Sequence, residues 1–219
     1  MALPWLLLLE LTLYGSCFVC GIITAASVTI SQGNFGGKCM LYGTVTFNST
    51  VLSVSSSSSP SLCYFVSAIS VCVAICCFSL SLYWVYTSCM DGDVQRNRFW
   101  MNITLGGCGV FLFFLLITGC ILKIGRDSLC SSVTQPAHNI SRCDDAQNKQ
   151  WESPYNGNRF YSRLHSAEVA VWVNFFFWLI IAALVLLQRR QVSEFRTGGE
   201  DSGASPSETE PIFGRPGRP

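Results

Sequence analysis

Charge is scarce in this sequence. Only 12% of its 219 residues are Asp, Glu, Lys or Arg, where an ordinary soluble domain carries about 25%, and that deficit argues against a water-exposed globular surface. Charge of one sign is scarcer still. Lys plus Arg (14) nearly cancels Asp plus Glu (13), which leaves no basic stripe for nucleic acid and no acidic block for a cationic partner. What is abundant is apolar: 50% of the chain is hydrophobic, gathered in four runs at 3–29, 62–86, 99–122 and 169–187. A hydrocarbon core about 30 Å thick needs roughly 20 apolar residues at 1.5 Å rise each, so every run is long enough. The composition therefore reads as an all-α membrane protein, a four-helix transmembrane bundle with a small β-containing first extracellular loop.

The first run has no Lys or Arg before it and extends well beyond the apolar stretch of a secretory leader, so it reads as a span. The chain then divides into a first helix (1–30), an outside loop (31–61), a second helix (62–88), a cytoplasmic loop (89–98), a third helix (99–123), a second outside loop (124–168), a fourth helix (169–188) and a disordered cytoplasmic tail (189–219). Lys and Arg do not settle the orientation, because the 14 divide evenly between the two sides. Other chemistry does. The first loop holds the acceptor triplet Asn48-Ser49-Thr50 with Cys39 and Cys63, and the second holds Asn139-Ile140-Ser141 with Cys130 and Cys143. Both loops then face the lumen or the outside, and both termini face the cytoplasm. A third triplet, Asn102-Ile103-Thr104, falls inside a span and is expected to stay unmodified.

An oxidising compartment favours pairing within each loop, Cys39 with Cys63 and Cys130 with Cys143, although four cysteines permit three connectivities. Closing loops of this size stabilises them by about 3 kcal/mol in the chain-entropy model. The first loop alternates polar with β-branched or aromatic residues from Met40 to Val54, the pattern of a short antiparallel pair. Ser55 to Ser59 followed by Pro60 has the composition of a flexible linker. The tail from Ser193, rich in Gly, Ser, Pro and Glu, lacks the apolar residues to fold alone.

Several motifs suggest chemistry. Cys17-Phe18-Val19-Cys20 has redox spacing, but apolar surroundings disfavour a thiolate, and these cysteines read as small packing residues. Cys89, beside the membrane, is a candidate for palmitoylation. Glu10 is the one carboxylate inside a span, and with Asn102 it forms the intramembrane polar set. The expected arrangement keeps it near the cytoplasmic interface, bonded to Asn102, Tyr83 or Tyr86. Small residues at Cys17, Gly21 and Ala25, and at Gly106, Gly107 and Gly109, mark faces where helices can approach closely. His165 and Glu168 share a helical face, yet His138 is the one further imidazole, so a polar helix entrance is favoured over a metal site. In the tail, Glu208 with Ile212-Phe213 loosely resembles an acidic dileucine sorting signal, flanked by candidate phosphorylation sites at Ser205 and Ser207.

The loop signatures carry a family resemblance. The stretch Gln32-Gly33-Asn34-Phe35-Gly36-Gly37-Lys38-Cys39-Met40-Leu41-Tyr42-Gly43 is the first of them. It is followed by Ser61-Leu62-Cys63-Tyr64-Phe65, Ser128-Leu129-Cys130, and Phe160-Tyr161-Ser162 through Trp172-Val173-Asn174. Together they resemble the transmembrane protein 179 family over nearly the whole chain. The resemblance implies a four-span protein broadly similar to claudins, with no established catalytic activity. The first loop has no Trp, so the claudin likeness is one of fold. The functional expectation is a non-enzymatic interaction, scaffolding or trafficking protein of the plasma membrane and secretory or endosomal vesicles. It would need no cofactor and no metal, and would contact membrane lipids and other membrane proteins through its spans or outside loops. The rival is a small transporter or channel subunit centred on Glu10.

Overall fold

A computed structural model describes residues 2–48, 51–90, 98–135 and 140–200. Among them are four long helices: α1 (Ala2–Asn34), α2 (Pro60–Met90), α3 (Arg98–Val133) and α4 (Phe160–Glu200). All four contain stretches long and apolar enough to cross a membrane. In hydrocarbon a backbone N–H has no water to bond, so such a stretch closes its own hydrogen bonds as a helix. Local chemistry sets the ends. At α2, Pro60 opens the helix and Ser59 Oγ accepts a hydrogen bond from Ser61 N–H at 3.4 Å, satisfying one of the unpaired donors of the first turn. At α1, Gly37 N–H donates to Gln32 O (2.9 Å) and Gly36 N–H to Gly33 O (3.1 Å), a Schellman closure that needs the left-handed φ of +62° at Gly36.

Between α1 and α2 lie β1 (Cys39–Asn48) and β2 (Val51–Ser58), paired antiparallel, with register shifts between Cys39 and Val45 and Tyr42 at φ +60°. A third strand, β3 (Gln150–Trp151), comes from the segment between α3 and α4 and runs parallel to β2. The sheet order is β1-β2-β3. The expected fold class is thus what the structure has, but α3 runs to Val133, ten residues past its expected end at 123, because its helix continues beyond the apolar run, and Ser55 to Ser58 is strand, not linker. Serines carry no apolar alternation to announce a strand, but β1 supplies a partner, pairing Thr44 with Ser56 and Cys39 with Ser58. A further difference is at the C-terminal side. In place of an unstructured tail from Arg189, α4 continues to Glu200, since extending a helix already formed needs no new nucleus.

In the bundle α1 packs against both α2 and α4, α3 packs against α4, and α2 and α3 meet only lightly. Gly21 on α1 lets α2 come close: a Cβ there would sit 2.8 Å from Ser70 O and 3.0 Å from Ala74 Cβ. Tyr14 meets Trp178 edge-on at 6.2 Å, and Phe111 meets Trp178 at 4.8 Å, tying α1, α4 and α3 together. The small face expected on α1 is therefore used. The one on α3 is not used inside the chain, since a Cβ on Gly106, Gly107 or Gly109 would meet nothing within 4 Å.

Candidate functional sites at the two ends of the bundle

At the end that carries the sheet, α3 and α4 are joined by a charged cluster. Arg126, 8% exposed, pairs through Nη1 with Glu168 Oε2, 7% exposed. The same guanidinium lies 2.8 Å from His165 Nδ1 and donates from Nη2 to Asp127 Oδ1 at 3.0 Å. A guanidinium has donors only, so His165 Nδ1 acts as acceptor and its proton resides on Nε2. Lys123 Nζ completes the set, 3.5 Å from Asp127 and 3.8 Å from Glu168. Tyr161 stacks on His165 at 5.9 Å with its ring face toward Arg126. His165 and Glu168 do share a face, as their spacing predicts, and what they receive there is Arg126. Among the described residues no group of three His, Cys, Asp or Glu is placed to hold a metal ion.

At the opposite end, Glu10 on α1 is 3% exposed and accepts a hydrogen bond from Gln188 Nε2 on α4 at 2.7 Å. Sequence alone points to Asn102, Tyr83 or Tyr86; the structure adds a carboxamide from α4, a helix that reading did not name. Asn102 is exposed on α3, and among the described residues no hydrogen bond engages it. From Glu168 to Gln188 the helical rise amounts to about 30 Å, and from Asn102 to Lys123 it is closely similar. Those spans equal the hydrocarbon thickness. Gln188, the partner of Glu10, and Asn102 thus stand at the ends of stretches of that length on α4 and α3.

Above the charged cluster, the sheet is held by side chains from all sides. Cys39 is bonded to Cys63 and Cys130 to Cys143, the expected pairing within each loop. Phe35, Trp151, Tyr155 and Phe160 form one aromatic cluster, with Trp151 5.2 Å from Phe35 and 5.5 Å from Phe160. Trp151 Nε1 donates to Ala146 O at 3.1 Å, and Lys38 Nζ donates to Tyr155 OH at 2.7 Å. Ser132 on α3 binds the edge of β1, accepting from Val45 N–H at 2.9 Å. The tryptophan that the first loop lacks thus arrives from the second. Sequence reasoning missed Trp151, Ser132, Gln188 and Arg126. For Arg126 a signal existed, since it stands about one turn beyond its apolar run and Glu168 directly precedes the next one.

The remaining candidates are scattered. Asn48 is exposed at the end of β1, while Asn139 lies outside the described residues. Cys89 is exposed near the end of α2. Ser205, Ser207 and the sorting-like segment lie outside the described residues. Cys17, Cys77 and Cys108, from three helices, are wholly buried in the bundle core.

Four apolar helices bearing a small disulfide-closed sheet at one end define a four-span, claudin-like membrane protein. The chain belongs to the transmembrane protein 179/179B family, whose claudin domain matches residues 6–213. It is 69% identical over 219 residues to transmembrane protein 179B of Danio rerio, covering 100% of both chains. To transmembrane protein 179B of Homo sapiens it is 38% identical over 215 residues, covering 98% of this chain and 97% of the relative. The corresponding figures for Mus musculus are 40% over 188 residues, 86% and 85%. No solved structure matches.

Proposed function

We propose that this chain is a non-catalytic interaction and trafficking protein, with the sheet outside or in the lumen and both termini in the cytoplasm. It resides in the plasma membrane and in secretory or endosomal vesicles, and binds other membrane proteins through its spans or outside loops. The observation that carries this reading is how the polar groups of the spans are used. Arg126 is engaged by Glu168, His165 and Asp127, and Glu10 by Gln188, so charge in the bundle joins helices to one another. The sheet and its loops offer accessible polar surface at one end of the bundle, with Asn48, Thr44 and Thr46 exposed on β1. Sorting would depend on Glu208 and Ile212-Phe213, tuned by phosphate on Ser205 or Ser207, with palmitate on Cys89 as a further anchor.

Replacing Glu10 with Gln tests the reading against a transporter centred on that carboxylate. Delivery to the cell surface, followed by surface biotinylation, should match the wild type, because a neutral carboxamide can still bond Gln188. A pH-dependent flux in proteoliposomes that the wild type supports and Glu10→Gln loses would overturn it. Replacing Ile212 and Phe213 with Ala should shift the steady-state population from vesicles to the cell surface.

A further inference from the structure

Helix α4 turns one seam into the bundle. Ala167, Val171, Asn174, Trp178, Ile181 and Val185 recur at alternating steps of four and three, and none is more than 2% exposed. Four of the six are purely apolar. The other two, adjacent in the seam, carry polar atoms for which the packing supplies no partner: Asn174 Oδ1 and Trp178 Nε1 are both buried and make no hydrogen bond among the described residues. Trp178 stands about 15 Å along the axis from Glu168 and from Gln188 alike, midway between the polar clusters at the two ends.

The walls around this pair come from two other helices. Phe111 of α3 lies 4.8 Å from the Trp178 ring, and Tyr14 of α1 meets it edge-on at 6.2 Å. Two turns nearer the sheet, Val171 Cγ1 lies 3.5 Å from where a Cβ on Gly119 would stand. Asn174 falls between these contacts, level with Leu115, itself 1% exposed. At such a depth hydrocarbon offers an unpaired donor or acceptor no substitute, and a protein interior satisfies groups of this kind with ordered water, for which two partners suffice. The chemistry of the two atoms is specific. An indole N–H only donates and a carboxamide oxygen only accepts. A cation would be repelled by the first and an anion by the second, whereas a water molecule accepts from one and donates to the other. Residues four apart on a helix face hold their Cβ atoms about 5–6 Å apart, a gap that two hydrogen bonds of about 2.9 Å through one oxygen cover.

We propose that Asn174 and Trp178 form a buried water site in the core of the bundle, one water accepting a hydrogen bond from Trp178 Nε1–H and donating one to Asn174 Oδ1. The full chain, labelled with nitrogen-15 on its six tryptophans and embedded in lipid nanodiscs, gives one indole signal per ring, and Trp178→Phe identifies that of residue 178. This indole proton should show a direct magnetisation-transfer peak to water protons that falls at least fivefold in Asn174→Leu. Thermal unfolding supplies a second readout. Leucine has nearly the shape of asparagine, so replacing a truly orphaned amide would leave the melting midpoint unchanged or raise it, whereas removing one partner of a bound water strands the other. Asn174→Leu should therefore lower the midpoint by about 3 °C, and the double variant with Trp178→Phe should fall by less than the sum of the two single losses. Should Trp178→Phe not fold, replacing the other five tryptophans assigns the signal by elimination, and the sign of the Asn174→Leu shift decides alone. A midpoint that Asn174→Leu raises or leaves unchanged, additive losses in the double variant, or an indole at 178 without a water peak would overturn the proposal.

Discussion

Arg126 and Glu168 form a buried ion pair between α3 and α4, and its two halves should not be equally costly to remove. In Arg126→Met the Glu168 carboxylate stays buried and keeps Lys123 Nζ at 3.8 Å, an ammonium that is itself half in solvent. Leaving a buried charge without its partner costs about 3–5 kcal/mol, and the remaining ammonium puts the loss in the lower part of that range. In Glu168→Leu the guanidinium still holds His165 at 2.8 Å and Asp127 at 3.0 Å, so the loss should be near 2 kcal/mol, about what one charged hydrogen bond contributes. The double variant removes both charges and leaves two apolar chains of similar length in contact, which should bring stability back to within about 1 kcal/mol of the wild type. The assay is thermal unfolding of all four proteins in one detergent, followed by tryptophan fluorescence. Additive losses in the double variant would refute the argument, as would a larger loss for Glu168→Leu than for Arg126→Met.

Further outcomes follow from other contacts. Gly157→Ala should lower stability by about 1–3 kcal/mol, because its Cβ would lie 2.0 Å from Trp151 Nε1; limited proteolysis of the segment between α3 and α4 would report it. Gly21→Leu should destabilise the bundle by a similar amount through the contact with Ser70, whereas Gly106→Leu should leave the melting temperature unchanged. Removing the Cys39–Cys63 bridge, which closes a separation of 24 residues, should cost about 3 kcal/mol in denaturant unfolding. With the sheet outside, a glycosidase-dependent mobility shift should fall with Asn48→Gln or Asn139→Gln and persist in Asn102→Gln; a shift that depends on Asn102 alone would invert the topology.

Much of this molecule is legible in one dimension. The spans follow from composition, because the transfer of twenty apolar residues into hydrocarbon is favourable whatever their neighbours. The disulfide pairing is the one favoured by which cysteines share a loop, while α1 runs four residues beyond its expected end to the turn at Gly36-Gly37, where a residue without Cβ takes the required φ easily. The same local reasoning fails where the partner is distant. Ser55 to Ser58 has the composition of a linker and becomes strand because β1 lies alongside it. Glu10 finds Gln188, 178 positions away, and His165-Glu168 resolves into an arginine cluster because α3 and α4 meet at one height.

Glycine shows the division most clearly. Gly21 and Gly106 are indistinguishable in sequence, small residues in apolar helices. Only the packing decides that the first admits α2 and the second faces outward. Span number, span length and loop closure are thus properties of the sequence itself, since each depends on local composition or short separation. The ion pair, the arrival of Trp151 on the edge strand of the sheet and the choice between the two faces of α3 belong to tertiary structure, because each depends on which distant segments come together.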